Sequence, residues 1–252
     1  MNKSGSLRLV AEFSVIVVGV LVALLAESAW TERGKRAEER GILEWIYQDL
    51  AEDSSSMALD RAWVDMVVPA AAEARGILAG RDSHSAIGRL TVLYAASTIR
   101  QSPEQVRTWD DLIASGRISL IRDVEVRRAI MAFYGTVGAL RTDQQALPTD
   151  FRTTIIAILP TDFTRGVLVE CVRNPDGSEV TLRADVEVAL RSCAVDPGEA
   201  PATLLAQIRA DPGIERSLGG LTYELAGIAE TLGRAEQRFE TLRGLLGASQ
   251  AN

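Results

Sequence analysis

Residues 13–26 read FSVIVVGVLVALLA, fourteen uncharged and mostly apolar residues in succession. With its flanks the apolar segment extends from Leu9 to Trp30. A helix of this length, rising ~1.5 Å per residue, covers the ~30 Å hydrocarbon core of a bilayer. The segment therefore predicts a transmembrane helix.

A cleaved signal peptide is the alternative interpretation of this segment, because Ala26-Glu27-Ser28 weakly resembles a cleavage site. The following residues 34–50, GKRAEERGILEWIYQDL, continue a helical pattern without a turn signal. We therefore expect the segment to be retained and its helix to run to about Leu50. The sequence Asp53-Ser54-Ser55-Ser56 then predicts a turn or a new helix start.

The charges that flank the apolar segment bear on its orientation. Lys3 and Arg8 make the N-terminal side positive, whereas four basic residues beyond Trp30 are balanced by glutamates. Basic residues favour the cytoplasmic side, and long following domains can be translocated. We predict a single-pass protein of a bacterial inner membrane, with a cytoplasmic N-terminus and a periplasmic C-terminal domain.

Small residues recur along the apolar segment at spacings of three to five. Such residues allow close approach of a second helix in lipid, although a solitary anchor can also contain a glycine. Trp30 stands where an interfacial aromatic residue is expected. The possible helix-packing face consists of Ser14, Gly19, Ala23 and Ala26.

Two stretches resemble an uncharacterised family of bacterial single-pass membrane proteins. The first is EFSVIVVGVLVALLAESAWTERGKRAEERGILEWIYQDLAED, residues 12–53, and the second is TWDDLIASGRISLIRDVEVRRAIMAFYGTV, residues 108–137. The resemblance implies an N-terminal anchor followed by a helical extramembrane domain, and it implies no catalytic residue.

The remaining pattern predicts a mainly α fold, in which the transmembrane helix continues into a helical bundle with one small β-hairpin. Pro69 lies inside a helical pattern and predicts a kink or break. The predicted organisation is a tail over residues 1–8, the transmembrane helix over 9–30, a helical domain over 31–165, a hairpin and linker over 166–200, and C-terminal bundle helices over 201–252.

The predicted hairpin is centred on Asn174-Pro175-Asp176-Gly177, a turn sequence between β-prone runs. Cys171 and Cys193 are the only two cysteines. In an oxidising periplasm they can form a disulfide that closes a loop. Two small buried thiols are the alternative.

The C-terminal helix has the most regular apolar pattern of the chain, with spacings of three and four. This pattern is typical of a coiled-coil or bundle helix. It either packs inside the chain's own bundle or forms an intermolecular seam. The possible seam residues are Leu218, Leu221, Leu225, Ile228, Leu232, Phe239 and Leu242.

The sequence carries little that indicates catalysis. His84 is the only histidine and stands in a polar segment that can cap a helix, and no phosphate-binding or hydrolase motif occurs. Asp49, Glu52 and Asp53 are the densest acidic cluster, which we interpret as a solvated face rather than a cation site. We expect no enzyme, no cofactor and no metal, and the net charge of −7 argues against nucleic acid.

We therefore predict a non-enzymatic accessory or stabilising subunit of a larger membrane complex, with respiratory and photosynthetic complexes as plausible hosts. The expected partners are the lipid bilayer and other membrane-protein subunits, and homo-oligomers are possible. Two alternatives stay open. One is a membrane-anchored periplasmic sensor or ligand-binding module, and the other is a homo-oligomeric envelope scaffold.

Overall fold

One helix accounts for nearly a third of the chain. A computed structural model describes residues 3–100, 107–167 and 195–250, with the side chains of residues 3–15, 107–108 and 249–250 outside the description. Helix α1 (Lys3–Leu78) contains 76 residues without interruption. At ~1.5 Å per residue, it is about 110 Å long.

Helix α1 passes through both positions at which the sequence predicts a break. The expected turn at Asp53-Ser54-Ser55-Ser56 is helical, and there the Ser55 hydroxyl donates to the Ala51 carbonyl at 3.2 Å. Pro69 is also inside the helix. Its neighbours Val67, Ala70 and Ala71 are buried, so tertiary packing offsets the local cost of a proline. The predicted turn at residues 53–56 and the predicted break at Pro69 are therefore wrong, because both predictions rest on local propensity alone.

Eight further elements follow α1 in the described part of the chain. All of them are helical. Their bounds are α2 (Ala86–Ala96), α3 (Arg107–Ala114), a 3-10 turn (Arg117–Leu120), α4 (Val124–Gln145), α5 (Asp150–Ile158), α6 (Thr161–Gly166), α7 (Pro201–Ala210) and α8 (Ile214–Gln250).

Side-chain caps and one glycine define several helix ends. Asp123 caps α4 by accepting from the backbone N–H groups of Glu125 and Val126, at 2.8 and 3.1 Å. Ser85 caps α2 in the same way. Beyond the C-terminus of α1, Gly80 has a φ of +68° and its N–H donates to the Ile77 carbonyl. The local sequence therefore explains where these helices end.

Helices α1, α4 and α8 pack around two consecutive apolar cores. The core nearer the N-terminus of α1, here called the proximal core, joins Ile42–Met57 of α1 to α3, to α4 and to Ala235–Leu246 of α8. The distal core joins Trp63–Leu78 of α1 to α2, α5, α7 and Leu218–Leu232 of α8. Because α1 and α8 contribute to both cores, the described bundle is one connected packing unit.

A polar layer separates the two cores. Buried Asp60 accepts hydrogen bonds from Arg100 Nε at 2.6 Å and from Gln144 Nε2 at 3.2 Å. Next to it, Arg61 donates to both carboxylate oxygens of Glu236, at 2.9 and 2.6 Å. Because these bonds join α1 to α4, to α8 and to the segment after α2, they fix the register of the long helices.

The prediction of a mainly α fold is confirmed, because the described residues are predominantly helical and include no strand. The predicted hairpin around Asn174 lies within residues 168–194, outside the described residues. Cys171 and Cys193 lie in the same range, so their pairing stays a prediction.

The predicted transmembrane segment is not found. Among the residues whose side chains are described, no helix is both long and apolar enough to span a bilayer. The uncharged run of the sequence, residues 13–26, is shorter than the about 20 apolar residues that a spanning helix needs, and it has Glu12 and Glu27 at its two ends. The prediction of a single-pass inner-membrane protein with a periplasmic domain is therefore wrong.

Candidate interaction surface

Residues 16–31 of α1, here called the arm, extend beyond both cores. Every arm residue is solvent-exposed. Eight of them are Ile, Val or Leu, with exposed fractions from 38% to 69%. Such side chains are normally covered, and contiguous exposed apolar surface of this kind marks interaction sites. The eight residues are Ile16, Val17, Val18, Val20, Leu21, Val22, Leu24 and Leu25.

The apolar surface extends around most of the arm's circumference. At about 100° per residue, the eight large side chains are distributed over about 240°. Gly19, Ala23 and Ala26 occupy the remaining sector, and a Cβ added at Gly19 would meet no atom within 4 Å. The side chain of Ser14, the fourth residue of the predicted packing face, is outside the description. The arm therefore has a narrow sector of small residues and a broad sector of bulky ones.

The arm changes from apolar to charged near Trp30, the residue predicted to be interfacial. Its indole is 79% exposed. Glu27 precedes it, and Glu32, Arg33, Lys35 and Arg36 follow within two turns. Trp30 thus stands at the boundary between the apolar arm and a charged segment of the same helix.

A collar of ion pairs holds α1 just beyond the arm. Arg122 pairs with Glu32 at 2.5 Å and with Glu39 at 3.5 Å, and its backbone N–H donates to Glu39 at 2.6 Å. Arg117 pairs with Glu38 at 2.9 Å, and its guanidinium lies 5.7 Å from the ring centroid of Trp45. Both arginines come from the segment between α3 and α4. They fix the direction in which the arm leaves the bundle.

The apolar stripe of the C-terminal helix lies inside the chain's own bundle. The possible seam residues from Leu218 to Leu232 belong to the distal core, and Phe239 and Leu242 belong to the proximal core. All of them are buried. In this fold they are therefore already covered, whereas the arm is not.

A shallow cleft of about 660 Å³ surrounds His84 at the far end of α1. His84 Nε2 lies 3.2 Å from Glu73 Oε2. Burial alone would raise the pKa of Asp82 in the same cleft, but hydrogen bonds from Arg89 and from the His84 backbone hold that pKa below its usual value. Across the described residues, no group of three His, Cys, Asp or Glu side chains is arranged to bind a metal. The cleft offers one imidazole–carboxylate pair.

Sequence reasoning missed two groups of residues. Arg117 and Arg122 occur in an irregular segment without periodicity, so nothing in the sequence links them to glutamates about 80 residues earlier. Asp53 was interpreted as part of a solvated acidic face, but it is buried. The helical spacing could have predicted this burial, because Asp53 lies on the same side of α1 as Ile42, Ile46 and Leu50.

No family model matches the chain, and no curated protein or solved structure does so either. The resemblance to bacterial single-pass membrane proteins therefore stays a prediction from residues 12–53 and 108–137.

Proposed function

We propose that this protein is a non-enzymatic accessory subunit that binds a partner protein through the arm, residues 16–31. The observation that carries this proposal is the exposure of the eight large apolar side chains of the arm, beside two cores whose apolar residues are buried within the described part of the chain. The bundle and the collar then act as a rigid mount for the arm.

The energetics favour coverage of the arm. Burial of one large aliphatic side chain contributes roughly 1.5–3 kcal/mol, so eight half-exposed ones amount to roughly 6–12 kcal/mol. This is comparable to the ~4–15 kcal/mol cost of association. Coverage of most of the arm therefore only offsets the cost of association, and coverage of a single side leaves much of that cost unmet. A stable complex requires a partner that encloses the arm and adds contacts beyond it.

The distribution of residues around the arm indicates the chemistry of that partner. Residues 16–26 contain no charged side chain, so the partner surface must be apolar and uncharged over this length. Because the bulky residues occupy about 240° of the helix, the partner must enclose the arm, as a groove between two or more helices does. Charged groups on the partner are expected only beyond Glu27.

The experiment places a photo-crosslinking amino acid singly at Ile16, Leu21 and Val22 of the full chain, expressed in its native host. These positions point to three different sides of the helix. We expect all three to crosslink to the same protein, which also copurifies with the uncrosslinked chain at a fixed ratio. Leu21→Glu should abolish the copurification while the helical circular dichroism is unchanged.

A matched control is Tyr223, an exposed aromatic residue on α8 outside the arm. A crosslinker at Tyr223 should not capture that protein. The proposal fails if the three arm positions crosslink only to a second copy of the chain or only to lipid. It also fails if Leu21→Glu leaves the partner bound.

A further inference from the structure

A buried acid–phenol pair lies between α1 and α4 and has no role in the proposed binding of a partner. Asp53 of α1 is 7% exposed, and Tyr134 of α4 is equally buried in the proximal core. The Asp53 Oδ2 atom and the Tyr134 hydroxyl are both enclosed, and neither makes a hydrogen bond of ordinary geometry in the described part of the chain, so the phenol acts on the carboxylate only through a poorly aligned contact. Buried polar atoms without partners are rare and cost free energy of folding.

Aromatic packing holds the phenol in place. The ring of Tyr134 stacks on Trp109 of α3, with centroids 5.2 Å apart, and meets the edge of Phe133 at 4.9 Å. The phenol ring therefore has little freedom to turn toward water. Asp53 is fixed equally well, because it is inside the continuous helix α1.

Few charged groups act on Asp53 from the surrounding helices. Arg141 of α4 favours its carboxylate, whereas Asp49 and Glu52 on its own helix disfavour it. Helix α8 contributes the apolar Ala235 and Phe239 to this core. Helix α3 carries Asp110 and Asp111, which are exposed.

We infer that the side-chain contact between Asp53 of α1 and Tyr134 of α4 is a proton-controlled joint, in which Asp53 takes up a proton in mildly acidic medium and the contact then becomes more stable. A neutral carboxyl group costs less to bury than a carboxylate. It also supplies an O–H donor near the Tyr134 hydroxyl, which makes no hydrogen bond of ordinary geometry in the described part of the chain. As the pH rises toward neutral, the charge returns and this contact weakens.

The shifted pKa values of Asp53 and Tyr134 support the inference. Burial is the main cause that raises the pKa of Asp53, from 3.8 to about 6, against the opposing effects of Arg141 and Tyr134. Burial likewise raises the pKa of Tyr134. Because the folded pKa of Asp53 exceeds the unfolded one, its contribution to stability is complete below pH 3.8 and is lost as the pH rises through about 6.

Urea unfolding of the full chain between pH 4.5 and 8 tests the inference. We expect the unfolding constant of the natural protein, divided by that of Asp53→Asn, to rise about 30-fold over this pH range, with a midpoint near pH 6. Asp49→Asn is the matched control and should keep this dependence, with a slightly lower midpoint. Tyr134→Phe should move the midpoint upward, because the hydroxyl favours the carboxylate.

Two results would overturn the inference. One is an Asp53→Asn protein whose pH profile is unchanged from that of the natural protein. The other is a direct carbon NMR titration of the natural protein in which the Asp53 carboxyl group changes charge below pH 4.5. The NMR measurement decides the question even if the variants do not fold. Neither result bears on the arm, so failure of the joint and failure of the proposed function are distinguishable.

Discussion

The two parts of α1 contrast sharply although they belong to one helix. From Ile42 to Leu78, one side of α1 carries an apolar stripe that is buried in the two cores, mainly against α8 and α2. In the arm, apolar residues lie on nearly all sides and remain exposed. Neighbouring helices of a bundle can cover an apolar stripe on one side of a helix. A helix that is apolar on all sides has to be enclosed by apolar contacts all around. In the described part of the chain, nothing covers the apolar side chains of the arm.

The largest expected difference between the two parts is the loss of stability when a leucine is replaced by alanine in each. Leu50 is 3% exposed in the proximal core, and Leu21 is 53% exposed in the arm. Leu50→Ala should lower the free energy of unfolding by about 3–4 kcal/mol, because it leaves a cavity. Leu21→Ala should change it by less than about 0.5 kcal/mol. Urea unfolding of the two variants measures both values, and equal losses would contradict the division of α1 into arm and bundle.

A second contrast concerns arginines. Arg100 pairs with buried Asp60 in the polar layer, whereas Arg36 pairs with Glu32 at 3.5 Å in solvent. Arg100→Met should destabilise the fold by about 3 kcal/mol, because Asp60 loses a charged partner inside the bundle. Arg36→Met should cost less than about 0.5 kcal/mol. Thermal unfolding monitored by circular dichroism separates the two, and a small effect of Arg100→Met would show that the polar layer does not hold the register.

Replacement of glycine by alanine should have opposite effects on stability at two positions. Gly80 has a positive φ and ends α1, whereas Gly19 lies in the helical arm with open space around it. Gly80→Ala should lower the free energy of unfolding by about 1 kcal/mol, because alanine disfavours the left-handed conformation. Gly19→Ala should instead slow hydrogen exchange of the arm amides about two- to five-fold, because alanine favours the helix. Faster exchange after Gly19→Ala would contradict the helical arm.

The smallest expected effect concerns the collar between the two parts. Arg122→Met removes the pairs with Glu32 and Glu39, which are partly exposed, so the free energy of unfolding should fall by less than about 1 kcal/mol. Hydrogen exchange over residues 32–41 should nevertheless become faster. The exposed Arg128 on α4 supplies the control, since Arg128→Met should leave this exchange unchanged. Identical exchange in both variants would mean that the collar does not hold the arm.

Much of the helical architecture was predictable, because periodic apolar residues leave few alternatives. The stripes from Val126 to Leu140 and from Leu218 to Leu246 are buried as their spacing indicates. Pro148 and Pro160 lie between helices, where a proline costs nothing because no helix has to continue through it. Pro69 does not interrupt α1, since the packing around it outweighs the lost hydrogen bond.

The candidate sites were much less predictable. The sequence shows the arm as an unusual apolar segment. Its interpretation as a membrane span is wrong, because no helix among the described residues is long and apolar enough to cross a bilayer. The collar and the pair of Asp53 with Tyr134 depend on contacts between residues about 80 positions apart. Local sequence carries no information on which charged residues meet across such distances.

The sequence by itself determined the helical class, the apolar stripe of α8 and the uncharged character of residues 13–26, because these follow from residue types and their spacing along one chain. Only the tertiary structure decided that α1 continues to Leu78, that the stripe of α8 is covered by α1 and α4, and that Asp53 is buried opposite Tyr134. Burial is a property of what packs against a residue, and here that packing joins segments distant in sequence.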